Sequence, residues 1–102
     1  MNITLENAKR CVGPGWSKLI EEIWEKLPED TYISQIKEKY GGLRFYTGGI
    51  SRELSDYILS KEEESYTICE MCGELGEIRK LPWIQTLCET HYQEALDKYK
   101  NR

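Results

Sequence analysis

The sequence predicts an α+β fold in which a helix, a β-hairpin and a second helix share a small core, with a cysteine-bearing module following at the C-terminus. Three observations carry this. Apolar residues recur at helical spacing from Trp16 onward, strand-forming residues flank a glycine pair near residue 41, and two pairs of soft-metal ligands fall between Cys69 and His91. A chain of 102 residues has room for one modest core and a small appended module, but not for two large domains. Its 39% apolar and 31% charged residues give the balance of a globular protein, not of a disordered or fibrous one.

Residues 2–12 read as a short helix with Leu5, Ala8 and Val12 on one side, and Gly13-Pro14-Gly15 as a turn. Beyond it Trp16, Leu19, Ile20, Ile23, Trp24 and Leu27 recur at steps of three and four, with charged residues between them. That is an amphipathic helix, and Pro28 ends it. Residues 32–39 and Leu43-Arg44-Phe45-Tyr46-Thr47 are expected as paired strands. Gly41-Gly42 is expected as the two-residue turn between them, because the favoured turn needs positive φ at both centres. Gly48-Gly49 closes the hairpin. Ser51 is the N-cap of a second helix, with Leu54, Tyr57, Ile58, Lys61 and Ser65 facing inward. The run Lys61-Glu62-Glu63-Glu64 is expected as a solvated face. Trp16, Trp24, Leu43, Phe45, Leu54 and Ile58 are the expected core. Residues 1–66 thus form the α+β core and residues 67–102 a module packed on it, the two folding as one cooperative domain.

Cys69-Glu70-Met71-Cys72-Gly73 is a Cys-x-x-Cys pair, and after fifteen intervening residues Cys88-Glu89-Thr90-His91 supplies a second pair with the same gap. A two-residue gap lets both side chains of a pair reach one ion from a tight turn or from the first turn of a helix. Three thiolates and one imidazole suit tetrahedral Zn2+. One structural zinc on Cys69, Cys72, Cys88 and His91 is therefore expected. A redox Cys-x-x-Cys would leave Cys88 and His91 unexplained. A catalytic zinc keeps one position open, whereas four ligands close the sphere and three thiolates damp the ion's Lewis acidity. Cys11, far from the others, reads as a small buried hydrophobe. Between the pairs, residues 77–81 and 83–87 suit two short strands around Pro82, and beyond Cys88 the residues Tyr92, Ala95, Leu96 and Tyr99 have helical spacing. Over about residues 67–100 this order of knuckle, hairpin and helix resembles the treble-clef zinc modules. The resemblance implies a fold and leaves function open, since such modules bind nucleic acid, bind protein or act as scaffolds.

The net charge of −4 is unevenly placed: residues 1–50 carry seven basic and seven acidic side chains, residues 51–102 seven and eleven. An acidic chain without a Lys/Arg block is a poor candidate for nonspecific nucleic-acid binding. The first seven residues lack the apolar stretch of a signal peptide, and no apolar run reaches about 18 residues. A cytoplasmic location without membrane contact is expected, and reducing conditions there keep cysteines available as ligands. Enzymatic constellations are missing from the pattern. The sole histidine is committed to the metal, and neither a Ser-His-Asp set nor a Walker-type loop occurs. Glu29-Asp30 and residues 62–64 are adjacent carboxylates of the ordinary solvated kind. A non-enzymatic protein is expected.

Residues 36–46 mix basic residues, aromatics and the glycine pair. If they form a ligand or partner surface, Lys37, Lys39, Tyr40, Arg44 and Tyr46 carry it; the plainer reading is a hairpin whose aromatics pack into the core. A Gly-Trp helix start, this Lys-x-Lys-aromatic-Gly-Gly-Leu-Arg-Phe-Tyr hairpin and the zinc-ligand pairs together resemble a family of small uncharacterised bacterial and phage proteins. The pattern spans Gly15 to His91. The resemblance brings no activity with it; it implies that the two parts form one unit and a phage or prophage setting, in which a small protein acts by binding a host component. Two functions are therefore expected as alternatives: a protein-interaction module that modulates a host or defence protein, or a nucleic-acid or nucleotide binder using the hairpin of residues 37–46.

Overall fold

The computed structural model describes residues 1–100 and is an α+β fold with two small antiparallel sheets. Helix α1 (Leu5–Arg10) is shorter than the expected residues 2–12. Thr4 caps it, its hydroxyl accepting the Asn7 N–H at 3.1 Å, and Gly13-Pro14 forces the chain out of the helix. A 3-10 turn, Pro14–Trp16, leads directly into α2 (Ser17–Lys26). The apolar stripe of α2 buries Leu19, Ile20 and Ile23 beside a fully buried Trp16. Trp24 and Leu54, expected in the core, are only half-buried against it.

Strands β1 (Ile33–Lys39) and β2 (Gly42–Thr47) form the first hairpin, but its turn is one residue earlier than expected. Lys39 pairs with Gly42, so the turn centres are Tyr40 (φ 53°) and Gly41 (φ 85°). The long-range reason lies at Gly42, where a Cβ would come within 2.3 Å of the Tyr66 ring. Glycine is needed there for close packing in the strand, not for the turn.

Helix α3 (Arg52–Glu64) begins at Ser51, whose hydroxyl accepts the Leu54 N–H at 3.2 Å as expected. It lies along the outer edge of β2 and caps it. Ser65 Oγ accepts the Leu43 N–H at 2.9 Å, and a Glu62 carboxylate oxygen accepts the Phe45 N–H at 2.7 Å. An uncovered strand edge would leave these donors unsatisfied or open to another chain. The run at residues 61–64 is thus not one solvated face. Glu62 is 8% exposed, and Lys61 is half-buried between Glu22 and Glu64, 3.2 Å from each. Of the four, Glu63 and Glu64 are exposed.

In the C-terminal part β3 (Glu77–Lys80) pairs with β4 (Ile84–Leu87), and α4 (Glu89–Lys100) follows with no fully buried residue. Thr86, fully buried, donates its hydroxyl to the Gly41 carbonyl at 2.6 Å and so fixes this sheet to the tip of the first hairpin. Among the described residues, no helix is long and apolar enough to cross a membrane.

Burial raises the Glu62 pKa above the usual carboxylate value, and the Phe45 N–H and nearby Arg44 only partly offset it. The folded state therefore holds this proton more tightly than the unfolded chain. Glu62's own contribution to stability grows as pH falls through its folded pKa, and is lost as pH rises through it. Glu62→Gln keeps an acceptor for Phe45 without the buried charge, so its stability at neutral pH should equal or exceed the parent's. Glu62→Ala orphans a buried N–H and should lose about 1–3 kcal/mol. Urea titrations of both variants test this, and equal losses would contradict it.

Candidate metal centre

The first ligand pair sits on a tight backbone knuckle. The Gly73 N–H donates to Cys69 O at 2.9 Å, the Cys69 N–H to Glu74 O at 2.8 Å, and Gly73 takes a positive φ (84°) that glycine adopts without strain. The second pair opens α4. Cys88 immediately precedes the helix, and His91 lies in its first turn, with its N–H 3.5 Å from Cys88 Sγ. A thiolate at this position meets the unpaired N–H groups and positive end of a helix.

The ligand atoms of Cys69, Cys72, Cys88 and His91 all lie within 4.8 Å of one another, so the group could hold one metal ion. Cys72 Sγ is 3.8 Å from Cys88 Sγ, and His91 Nδ1 is 3.5 Å from Cys69 Sγ and 3.2 Å from Cys88 Sγ. A tetrahedral site with metal–sulfur bonds of about 2.3 Å and metal–nitrogen bonds of about 2.0–2.1 Å has S···S edges of about 3.8 Å and S···N edges of about 3.5 Å. These three edges are close to that figure, with Nδ1 as the imidazole donor. Nε2 lies 3.9 Å from the Glu94 carboxylate, beyond hydrogen-bond reach.

The four donors have different surroundings. Cys69 is fully buried, Cys72 exposed, and Cys88 and His91 intermediate. The His91 backbone N–H, then its ring and the neighbouring thiols, lower the Cys88 thiol to about 7 against the penalty of burial. Cys72 is drawn down by the Glu74 backbone, but partial desolvation and the adjoining Cys69 and Cys88 sulfurs together outweigh this and push the thiol up to about 11. Crowded thiols of this kind are relieved when a cation takes the place of their protons.

Residues 13–16 dock directly on the knuckle. The Gly15 N–H donates to Glu70 O at 2.7 Å, the Gly13 N–H to the Glu70 carboxylate at 3.0 Å, and the Trp16 indole N–H to Ile68 O at 2.9 Å. A Cβ on Gly15 would fall 2.0 Å from Cys69 O, so only glycine permits this approach. Sequence reasoning took Gly13-Pro14-Gly15 for a turn alone. The Gly-Trp pair next to a Cys-x-x-Cys-Gly pair was the available signal, but nothing local linked them. Arg79 was also missed. It donates to Leu87 O at 3.1 Å, lies 4.4 Å from the centre of the Tyr92 ring, and pairs with Glu77 and Glu89 at 3.4 and 3.5 Å, tying β3 to α4.

Lys37, Lys39, Tyr40, Arg44 and Tyr46 come together on the first hairpin. Lys37 and Arg44 are direct cross-strand partners, Lys39 and Tyr46 occupy the flanking positions of the same face, and Tyr40 stands at the tip. Tyr40 and Tyr46 are 66% and 40% exposed, so of the hairpin's aromatics only Phe45 joins the core. Cys11 is not the buried hydrophobe expected of it. It is exposed, at the end of α1, with its thiol 3.3 Å from Asn7 O. Comparisons with protein-family models, with curated proteins and with solved structures find no match to this chain.

Cys72→Ser removes one corner of the tetrahedron. The variant should fail to retain a metal ion, and the amide resonances of residues 67–100 should collapse toward random-coil shifts. A dispersed spectrum for that segment without bound metal would contradict the role assigned to the cluster.

Proposed function

We propose that this chain is a non-enzymatic zinc protein, with one structural Zn2+ on Cys69, Cys72, Cys88 and His91, and that its zinc module presents a surface to another protein. Zinc is favoured over other soft-ligand metals by the closed tetrahedral sulfur–nitrogen set. Thiolate ligands of this kind suit a reducing, cytoplasmic setting. The knuckle, hairpin and helix support a treble-clef reading of the module. The sole histidine, His91, already belongs to the metal group, which supports a binding role over a hydrolytic one.

The observation that carries the interaction reading is the exposed apolar surface around the ligands. Among the described residues, five of the ten exposed large hydrophobic side chains are Met71, Leu75, Ile78, Trp83 and Ile84, all within residues 71–84. Leu75 is 84% exposed, which no packing need explains. Met71 and Trp83 border a groove of about 160 Å³ between the second hairpin and α4, lined also by Leu87, Ala95 and Tyr99, while Ile78 and Ile84 share the opposite face of that hairpin with Thr86. Apolar rings and a thioether around a groove are the usual chemistry of a protein-binding surface, and a structural ion would hold that surface rigid. A phage or prophage setting, with a host or defence protein as partner, rests on the resemblance of the Gly15 to His91 pattern.

Affinity capture from cell lysate with the full chain tests this. Capture of one protein that persists in high salt, is lost with Trp83→Ser and Leu75→Asp, and survives Lys37→Gln with Lys39→Gln is the expected result. Capture that disappears in salt, or that ignores Trp83 and Leu75, would count against it.

A further inference from the structure

We propose that the outward face of the β1–β2 ribbon binds single-stranded nucleic acid, with Lys37, Lys39 and Arg44 meeting phosphates and Tyr40 and Tyr46 stacking on bases. This goes beyond the protein-binding role of the zinc module and uses a different surface.

The first support is the charge arrangement. Lys37 stands directly opposite Arg44, and Lys39 is the next residue along the same face. Like charges in opposed positions destabilise a strand pair. Among the described residues, no carboxylate forms an ion pair with any of the three. Glu38, the nearest acid in sequence, belongs to the other face, where it pairs with Leu43 and accepts the Gly41 N–H at 2.7 Å. Arg44 feels the buried Glu62 carboxylate through space without pairing with it, and in a chain with 18 acidic residues three neighbouring cations with no ion-pair partner among the described residues are arranged for an anion from outside. The acidic excess also lies elsewhere, since residues 1–50 are balanced at seven of each sign and residues 51–102 carry the surplus.

The second support is Tyr40. Its φ of 53° lies in the left-handed region, where Gly, Asn and Asp are at ease and a bulky side chain is strained. The strain gains no burial, because the ring is 66% exposed and its ring contact is with the Lys39 ammonium, 5.5 Å from its centre. An aromatic held out at a hairpin tip against its backbone preference supplies a stacking platform. Arg44 is ordered in advance by Tyr66, whose hydroxyl accepts from its guanidinium at 3.0 Å. A second donor of Arg44 goes to Leu43 O, so three of its five N–H donors are left for a phosphate.

Interleaved cations and exposed rings favour a single strand over its competitors. A duplex hides its base faces, and an acidic peptide would use the cations but leave the tyrosines idle. Three phosphate contacts on a single strand imply a log–log salt slope of about −2.

The test is a fluorescence-anisotropy titration of the zinc-loaded full chain with labelled oligo-dT and mixed-sequence RNA across a salt series. Binding at low salt with a slope of about −2 is expected, weakened about tenfold by Lys37→Gln with Lys39→Gln. Tyr40→Asn should weaken it about fivefold while the melting temperature holds or rises, because Asn accepts the turn conformation. Absence of binding at low salt, or binding indifferent to these substitutions, would overturn the proposal. So would poly-glutamate binding as tightly as the oligonucleotides, which would make an acidic peptide the ligand.

Discussion

The backbone knuckle at residues 69–73 is the constraint on which the rest of this structure depends. It presents two thiols to the metal group from one side and receives the N-terminal part of the chain on the other, where Gly15 donates to Glu70 O and the Trp16 indole to Ile68 O. Trp16 is fully buried and opens α2, so the position of the knuckle passes directly into the main core. A second path runs from the Glu70 N–H to Thr86 O at 3.1 Å, and from the Thr86 hydroxyl to the turn of the first hairpin. The metal group therefore stands behind both sides of the fold. The magnitudes agree with that order of importance. Structural zinc sites in small peptides bind with an apparent free energy of about 10–16 kcal/mol near neutral pH, against about 5–15 kcal/mol for the whole stability of an ordinary small domain.

The parts legible in the sequence are those set by local periodicity or by ligand chemistry. The three- and four-residue steps of α2, the Ser51 cap and the paired Cys-x-x-Cys and Cys-x-x-His ligands each depend on neighbours within one turn or one loop. The parts that were not legible depend on residues far away in the chain. Gly41-Gly42 has the composition of a two-residue turn, yet the Tyr66 ring claims Gly42 for the strand and moves the turn to Tyr40-Gly41. Glu62 sits in a run of charges, yet the exposed edge of β2 needs an acceptor for the Phe45 N–H and draws that one carboxylate inward. Gly15 has the composition of an ordinary turn residue, and only the packed knuckle shows why a side chain cannot stand there.

The surface divides by chemistry. Apolar side chains crowd the metal module, which has only a thin interior of its own and leaves α4 without a buried residue. Cations and tyrosines gather on the first hairpin, where α3 covers the outer edge of β2, Tyr66 covers the outward face at Gly42 and Arg44, and Lys39, Tyr40 and Tyr46 stay exposed. A small chain cannot bury everything it carries, so exposure alone says little. The informative features are the ones held against a local preference: Tyr40 in the left-handed region, Lys37 opposite Arg44, and Leu75 almost wholly in water beside a buried ligand.

Native mass spectrometry of the protein purified without added metal tests the central claim most directly, since one spectrum reports both the bound mass and the folded state. One zinc ion per chain in the compact charge states is the expected result. Compact chains that carry no metal would contradict it, because the fold would then stand without the ion proposed for the four donors.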